Sequence, residues 1–286
     1  MNKLKENRAA SFLVVTAVYI LAAVAGILLY RALPMAWWLA LLIADAAATV
    51  LVFIFSLTFR NASVYDPYWS VQPPVILLAF AWGRELNFFG VLLLIAVWFW
   101  AVRLTANWAY TFANLFHQDW RYTMLAQKTG KFYPIINFVG IHMVPTLVVY
   151  GCVLPGVHVL RSGLAGNAGS ILFLCLSLLA ATMQGLADIQ MHRFRKNPTG
   201  RFIRVGLWKH SRHPNYLGEI TMWWGVGLAA VCADPGAWYL LAGALANTVL
   251  FLVVSIPMAD GRQSRKEGFC VYKAQTRMLL PIPKRK

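Results

Sequence analysis

Long apolar runs separated by short polar connections dominate the chain, recurring at 11–30, 36–59, 68–82, 88–108, 134–154, 170–187, 216–233 and 238–257. A hydrocarbon core of roughly 30 Å calls for about 20 apolar residues per helix, and most of these runs supply them. Alternating segments of about ten residues, the mark of a membrane β-barrel, are absent. The pattern predicts an all-α, polytopic membrane bundle of about seven to eight transmembrane helices. It reads as one membrane domain over 1–286, with N-terminal spans over 1–60 and a core from 61 onward. The run at 68–82 is short and holds Pro73 and Pro74, so it is the weakest span.

Charge sharpens this picture. A formal net charge of +16 would suggest nucleic acid in a soluble chain, but with 59% hydrophobic residues the charge has to be read by location. With the N-terminus inside, 23 of the 26 Lys and Arg fall in inner segments, and Arg31, Arg84 and Arg161 remain outside. Cytoplasmic loops collect such residues, so the bias predicts an even number of spans with both ends cytoplasmic. It also gathers the fourth-to-fifth connection, a central cationic loop and the tail on one face. The first apolar run is too long for a signal peptide and no small-residue cleavage site follows it, which predicts an uncleaved span. Cys152, Cys175, Cys232 and Cys270 are scattered and form no CxxC pair, against a disulfide framework or a zinc site. The tail after Pro257 mixes cations with Phe269, Tyr272, Leu279 and Leu280, which suits a segment lying at the interface. Its closing Lys284, Arg285 and Lys286 read as a headgroup anchor.

Candidate chemistry clusters on that cationic face. The central loop, 188–219, carries Arg193, Arg195, Lys196, Arg201, Arg204, Lys209 and Arg212. In the seam Arg212-His213-Pro214-Asn215-Tyr216, proline suits the first helical turn and His213 the N-cap. Such a helix start beside arginine binds anions; Lys209, Arg212 and His213 could equally meet lipid headgroups. Glu219, one turn into a span, demands a partner. Asp188, His192 and Arg195 share a helix face, with Gln184 a turn earlier. That face is either an internal ion pair or a ligand surface in which Arg195 takes a phosphate. Asp66 precedes Pro67, which fits an N-cap; alternatively it is a carboxyl at the edge of an apolar cavity, kept protonated to donate to a substrate carbonyl. Arg103, near the inner end of its span, either snorkels to the surface or meets a phosphate. Rossmann, P-loop, serine hydrolase and zincin motifs are absent, and His210 with His213 makes a poor metal pair.

Taken together, YDPYWSVQPP (65–74), DWRY (119–122), ADIQMHRFR (187–195), GLWKHSRHPNYLGE (206–219), WWG (223–225) and the tail with SIPM, Tyr272 and a final IP form a specific set. From about Asn61 to its end the chain resembles the steroid 5-alpha-reductase superfamily, most closely its bacterial DUF1295 membrane-protein branch. The resemblance implies an inner-membrane enzyme that binds NADPH without a Rossmann domain and reduces a conjugated carbon–carbon double bond in a lipidic, steroid-like substrate. By motif position it implies that Asp188, Arg195, Asn215 and Tyr216 hold the cofactor, with Glu219 at the family's GE and Gln184 at an asparagine position. Arg262, Arg265 and Tyr272 join from the tail. Arg103, His192, Lys196, Arg204, Trp208, Arg212 and His213 complete the candidate set. The family's carbonyl acid falls at or near Asp66 and its partner tyrosine near Trp100, whose indole donates a hydrogen bond but no proton; Tyr65 and Tyr68 are the alternatives. Two rival readings stand beside this one. One is an S-adenosylmethionine-dependent methyltransferase of the isoprenylcysteine type, and the other a non-catalytic lipid-binding membrane protein.

Overall fold

The computed structural model describes residues 5–282, so the closing Lys-Arg-Lys lies outside the described residues. These fold as an all-α bundle without strands. Among the described residues, seven helical stretches are long and apolar enough to cross a membrane: Arg8–Ala32, Trp37–Phe59, Phe88–Thr111, Trp120–Ser162, Ala168–Lys196, Pro214–Ala233 and Pro235–Gln263. We name α1 (Arg8–Ala32), α2 (Trp37–Phe59), α3 (Tyr68–Ala81), α4 (Phe88–Thr111), α5 (Trp120–Thr129), α6 (Val144–Ser162), α7 (Ala168–Lys196), α8 (Pro214–Ala233), α9 (Ala242–Leu250), α10 (Ile256–Gln263) and α11 (Phe269–Gln275).

The weak run at 68–82 is the one expected span that is not among these seven stretches. Helix α3 has 14 residues, about 21 Å of rise, too short for hydrocarbon alone. It nevertheless joins the two ends of the bundle. Asp66 before it bonds Tyr122 at the cation-rich end, and Arg84 after it donates to the carbonyl of Arg161 at the other. The connection Asn61–Tyr65 is buried, which is how irregular backbone is tolerated in such a bundle. Eight passes therefore put both described ends of the chain on one side. Asn114 donates to the Glu6 carbonyl there, and the Arg212 amide to the carbonyl of Arg277.

Local sequence explains the joints. Asn7, Asn87 and Asn167 cap α1, α4 and α7 by accepting from backbone amides. Two π-helical turns, Asn137–Met143 and Phe251–Ser255, end two residues before Pro145 and Pro257. Each proline removes the N–H that the carbonyl four residues back would have received, and the turn widens to find another. Helices α7 and α8 pack closely because α8 presents glycine: a Cβ on Gly218 would lie 2.7 Å from the Ala180 carbonyl oxygen, and one on Gly225 2.7 Å from that of Phe173.

Candidate functional site

That close α7–α8 contact carries a buried polar network. Glu219 is 3% exposed and accepts three hydrogen bonds, from Gln184 Nε2 at 2.5 Å, Trp100 Nε1 at 2.8 Å and Trp223 Nε1 at 3.0 Å. The two indoles meet edge to face, centroids 4.9 Å apart. Gln184 turns its carbonyl to Arg103 Nη2 at 2.6 Å, and Arg103 Nη1 pairs with Asp188 at 2.9 Å. Carboxylate, amide, guanidinium and carboxylate thus form one chain across α4, α7 and α8. Two expectations change here. Arg103 neither snorkels nor faces solvent; both its amino groups point inward, while its Nε is buried without a protein partner. Asp188 pairs with Arg103 on a neighbouring helix rather than with Arg195 on its own, because a carboxylate at this depth takes the donor that is buried with it.

At the seam, His213 occupies the N-cap position of α8 and Pro214 its first turn, as the spacing predicts. The His213 side chain does not cap. It bonds Asp260 at 3.0 Å and stacks on Tyr216, and Arg212 pairs with the same carboxylate at 2.9 Å. Arg212 Nη1 also donates to the Thr276 carbonyl at 2.7 Å, and its backbone with that of His213 bonds Arg277 and Met278. The Tyr272 hydroxyl donates to the Trp208 carbonyl, and the Trp208 indole to that of Ala187. Arg212, His213, Trp208 and Tyr272 thus clasp the tail onto the bundle, while Asn215 accepts from the Tyr216 amide. The tail is a packed segment: Phe269 and Tyr272 are buried, Val271 exposed.

Around this clasp lie the remaining cations. Lys266 sits among Arg262 and Arg195; burial first, and then those two guanidiniums, hold its ammonium below the ordinary lysine range. Arg262 stacks over Trp120 at 4.2 Å. Arg195, Arg265 and Lys196 are exposed, Lys196 over the Tyr110 ring. Arg204 lies over Phe202 and Tyr272. His192 is tied to Asn107 at 2.7 Å, so the face shared by Asp188, His192 and Arg195 is split between inward partners and solvent.

The four candidate catalytic residues do not converge. Trp100 belongs to Glu219. Asp66 caps nothing, since α3 starts after Pro67 without a side-chain cap; it accepts from the Tyr122 hydroxyl and lies 3.9 Å from Arg121. Burial raises its carboxyl to about 6, with Arg121 and Tyr122 opposing. Tyr65 bonds Thr146 at 2.9 Å, its ring 5.5 Å from that of Tyr68. Tyr68 donates to Asp45 at 3.2 Å, and Gln72 donates to the other carboxylate oxygen at 2.5 Å. Asp45, 5% exposed within α2, is the residue that sequence reasoning missed. The signal was there, because an acid within a span is a functional candidate by default. Lys266 was likewise counted only as tail charge.

Fold and site together define a polytopic α-helical membrane protein with most of its cations at one end of the bundle. The model of the family described as a protein of unknown function, DUF1295, matches residues 52–276, and the chain belongs to that family. Asp45 precedes the matched stretch. No curated protein and no solved structure matches the chain.

Proposed function

We propose that this protein is a membrane-embedded, NADPH-dependent reductase of a conjugated double bond in a lipidic, steroid-like enone, in keeping with the steroid 5-alpha-reductase resemblance. One observation carries the reading: Glu219, Gln184, Arg103 and Asp188 form a buried polar chain that leaves Arg103 Nε without a protein partner, at the end of the bundle where Arg262 and Arg195 act on Lys266 to hold its ammonium below the ordinary lysine range. Like charges held this close repel one another, and a polyanion relieves that repulsion. The orphaned Arg103 Nε fits a bound polar ligand in the same way, by offering a buried donor that lacks a partner.

In this reading Arg195, Arg262 and Lys266 hold the phosphates, and the clasp of Arg212, His213 and Tyr272 fixes the tail cations over them. Arg103, Gln184, Asp188 and Glu219 orient the polar part of the cofactor, which supplies hydride when bound. Asp45 and Tyr68 polarise the substrate carbonyl. In its protonated form Asp45 passes a proton to the Tyr68 oxygen as Tyr68 gives its own to the substrate. Asp66 and Tyr122 close the mouth beside Arg121. The balance is one enone, one NADPH and one proton giving the saturated ketone and NADP⁺, hydride to the β carbon and proton to the α carbon.

The test is a melting curve of the detergent-purified protein. NADPH should raise the midpoint, and Arg195→Ala should weaken NADPH more than NADH. A response to S-adenosylmethionine with none to NADPH moves the assignment to the methyltransferase, and silence to both to the lipid-binding protein. Activity is read as loss of reduced-nicotinamide absorbance with a 4-en-3-one steroid. Asp45→Asn should reduce that rate by about 100-fold while leaving NADPH affinity intact.

A further inference from the structure

Four buried polar atoms, outside the cofactor network, lack a protein partner near the face that α2 turns to α3 and α6. They are Ser56 Oγ, His142 Nε2, Asn137 Oδ1 and Gln72 Oε1. Their residues are 1%, 0%, 4% and 7% exposed. Leaving such atoms dry costs roughly 1–3 kcal/mol each, so four in one region need an explanation.

Their arrangement supplies it. On α2, Asp45, Thr49, Val52 and Ser56 follow i, i+4, i+7, i+11 and line one buried face from mid-span toward the cation-rich end. Opposite runs a second polar line. The π-turn sets Asn137 and His142 five residues apart, with His142 Nδ1 on the Asn137 carbonyl at 2.9 Å, and Thr146 follows. The two lines meet where Thr49 bonds Thr146 at 3.0 Å, and Thr146 bonds Tyr65. His142 lies against Phe53 at 5.2 Å and Tyr65 at 4.7 Å, ring to ring, leaving Nε2 unpartnered. At the mid-span end of the seam stand Tyr68, Asp45 and Gln72. An ordinary α-turn would rotate Asn137 away from His142; the widened turn before Pro145 keeps both on the seam.

We propose that this seam is a buried, water-occupied proton path from the cation-rich end to Asp45, with His142 as its relay. Waters bridging Ser56, Asn137 and His142 satisfy the orphaned atoms; with Nδ1–H held on the Asn137 carbonyl, the imidazole takes a proton on Nε2 from one water and returns it from the same nitrogen to the next. The proposal rests on the reductase reading, in which each turnover takes one proton from the Asp45–Tyr68 pair. That proton has to be replaced from water.

The first measurement needs no activity. In an experimental structure resolved well enough to show ordered water, density should bridge His142 Nε2 to Asn137 or Ser56; a dry seam with those atoms re-paired to protein overturns the path. The second compares steady-state NADPH oxidation, with a 4-en-3-one steroid, in the wild type, His142→Phe and Ser56→Ala. His142→Phe should slow turnover by about tenfold or more. Its H₂O/D₂O rate ratio should rise above the wild-type value, and NADPH affinity should stay the same. Ser56→Ala, which removes an orphan and leaves no hole, should fold normally and shift the isotope ratio the same way. Unchanged turnover and isotope ratio in both variants sink the path. A wild type that never oxidises NADPH with any enone sinks the reductase reading instead.

Discussion

Glu219 illustrates how a single residue sets the character of its surroundings. A carboxylate buried between helices is tolerable because three N–H donors converge on it, and removing any one leaves charge unmatched. Trp100→Phe should therefore destabilise the protein by about 2 kcal/mol in thermal or denaturant unfolding. Trp82→Phe, at a site 80% exposed, should leave stability unchanged. Asp66 behaves differently. Its carboxyl is raised to about 6 by burial, above the roughly 3.9 of an unfolded chain. The stability it contributes is complete below that unfolded value and is lost as pH rises through about 6. The gain in melting temperature between about pH 7 and about pH 5 should accordingly be smaller in Asp66→Asn than in the wild type. The seam residues were legible in sequence because proline, glutamate and arginine carry strong local rules. Asp45 was legible only as an acid within a span, since its partners Tyr68 and Gln72 come from another helix. The partner of Arg103 was hidden for the same reason: Asp188 is 85 positions away.

The elements were readable to the extent that hydropathy alone decides them. Spans follow from apolar length; α1, α4 and α7 are in addition capped by the asparagine before each of them. Helix α3 shows the limit, because it crosses with 14 residues through the packing of its buried approach, and packing has no local signature. Glycine is the nearest thing to one. Gly151 of α6 and Gly243 of α9 touch backbone to backbone, so that a Cβ on Gly151 would stand 3.0 Å from the Gly243 Cα. Gly243→Ala forces two helices apart and should lower both the yield of folded protein and its melting temperature. Gly261→Ala, where a Cβ meets nothing within 4 Å, is the matched control and should behave as wild type.

For the whole molecule, the skew of Lys and Arg along the sequence is the feature that survives folding most directly. Segments assigned to one face by charge meet there in space, through Arg8 on the Ala109 carbonyl, His192 on Asn107 and Arg204 on the Gly268 carbonyl. The opposite end is held by Asn87 on Leu164 and by His158 on Asp234. Exposed Cys270, on the tail, tests the orientation. In a variant keeping only that cysteine, an impermeant maleimide should label inside-out membrane vesicles and spare intact cells; the reverse result would invert the assignment.

The clasp of the tail has a consequence for how the protein comes into being. Arg212 and His213 meet Asp260, within the last apolar stretch, and Thr276 and the backbone at 277–278 beyond it, so this end of the bundle closes only once that stretch and the tail behind it have been made. A chain stopped short by a nonsense codon would populate the bilayer with well-formed helices and an unfinished mouth.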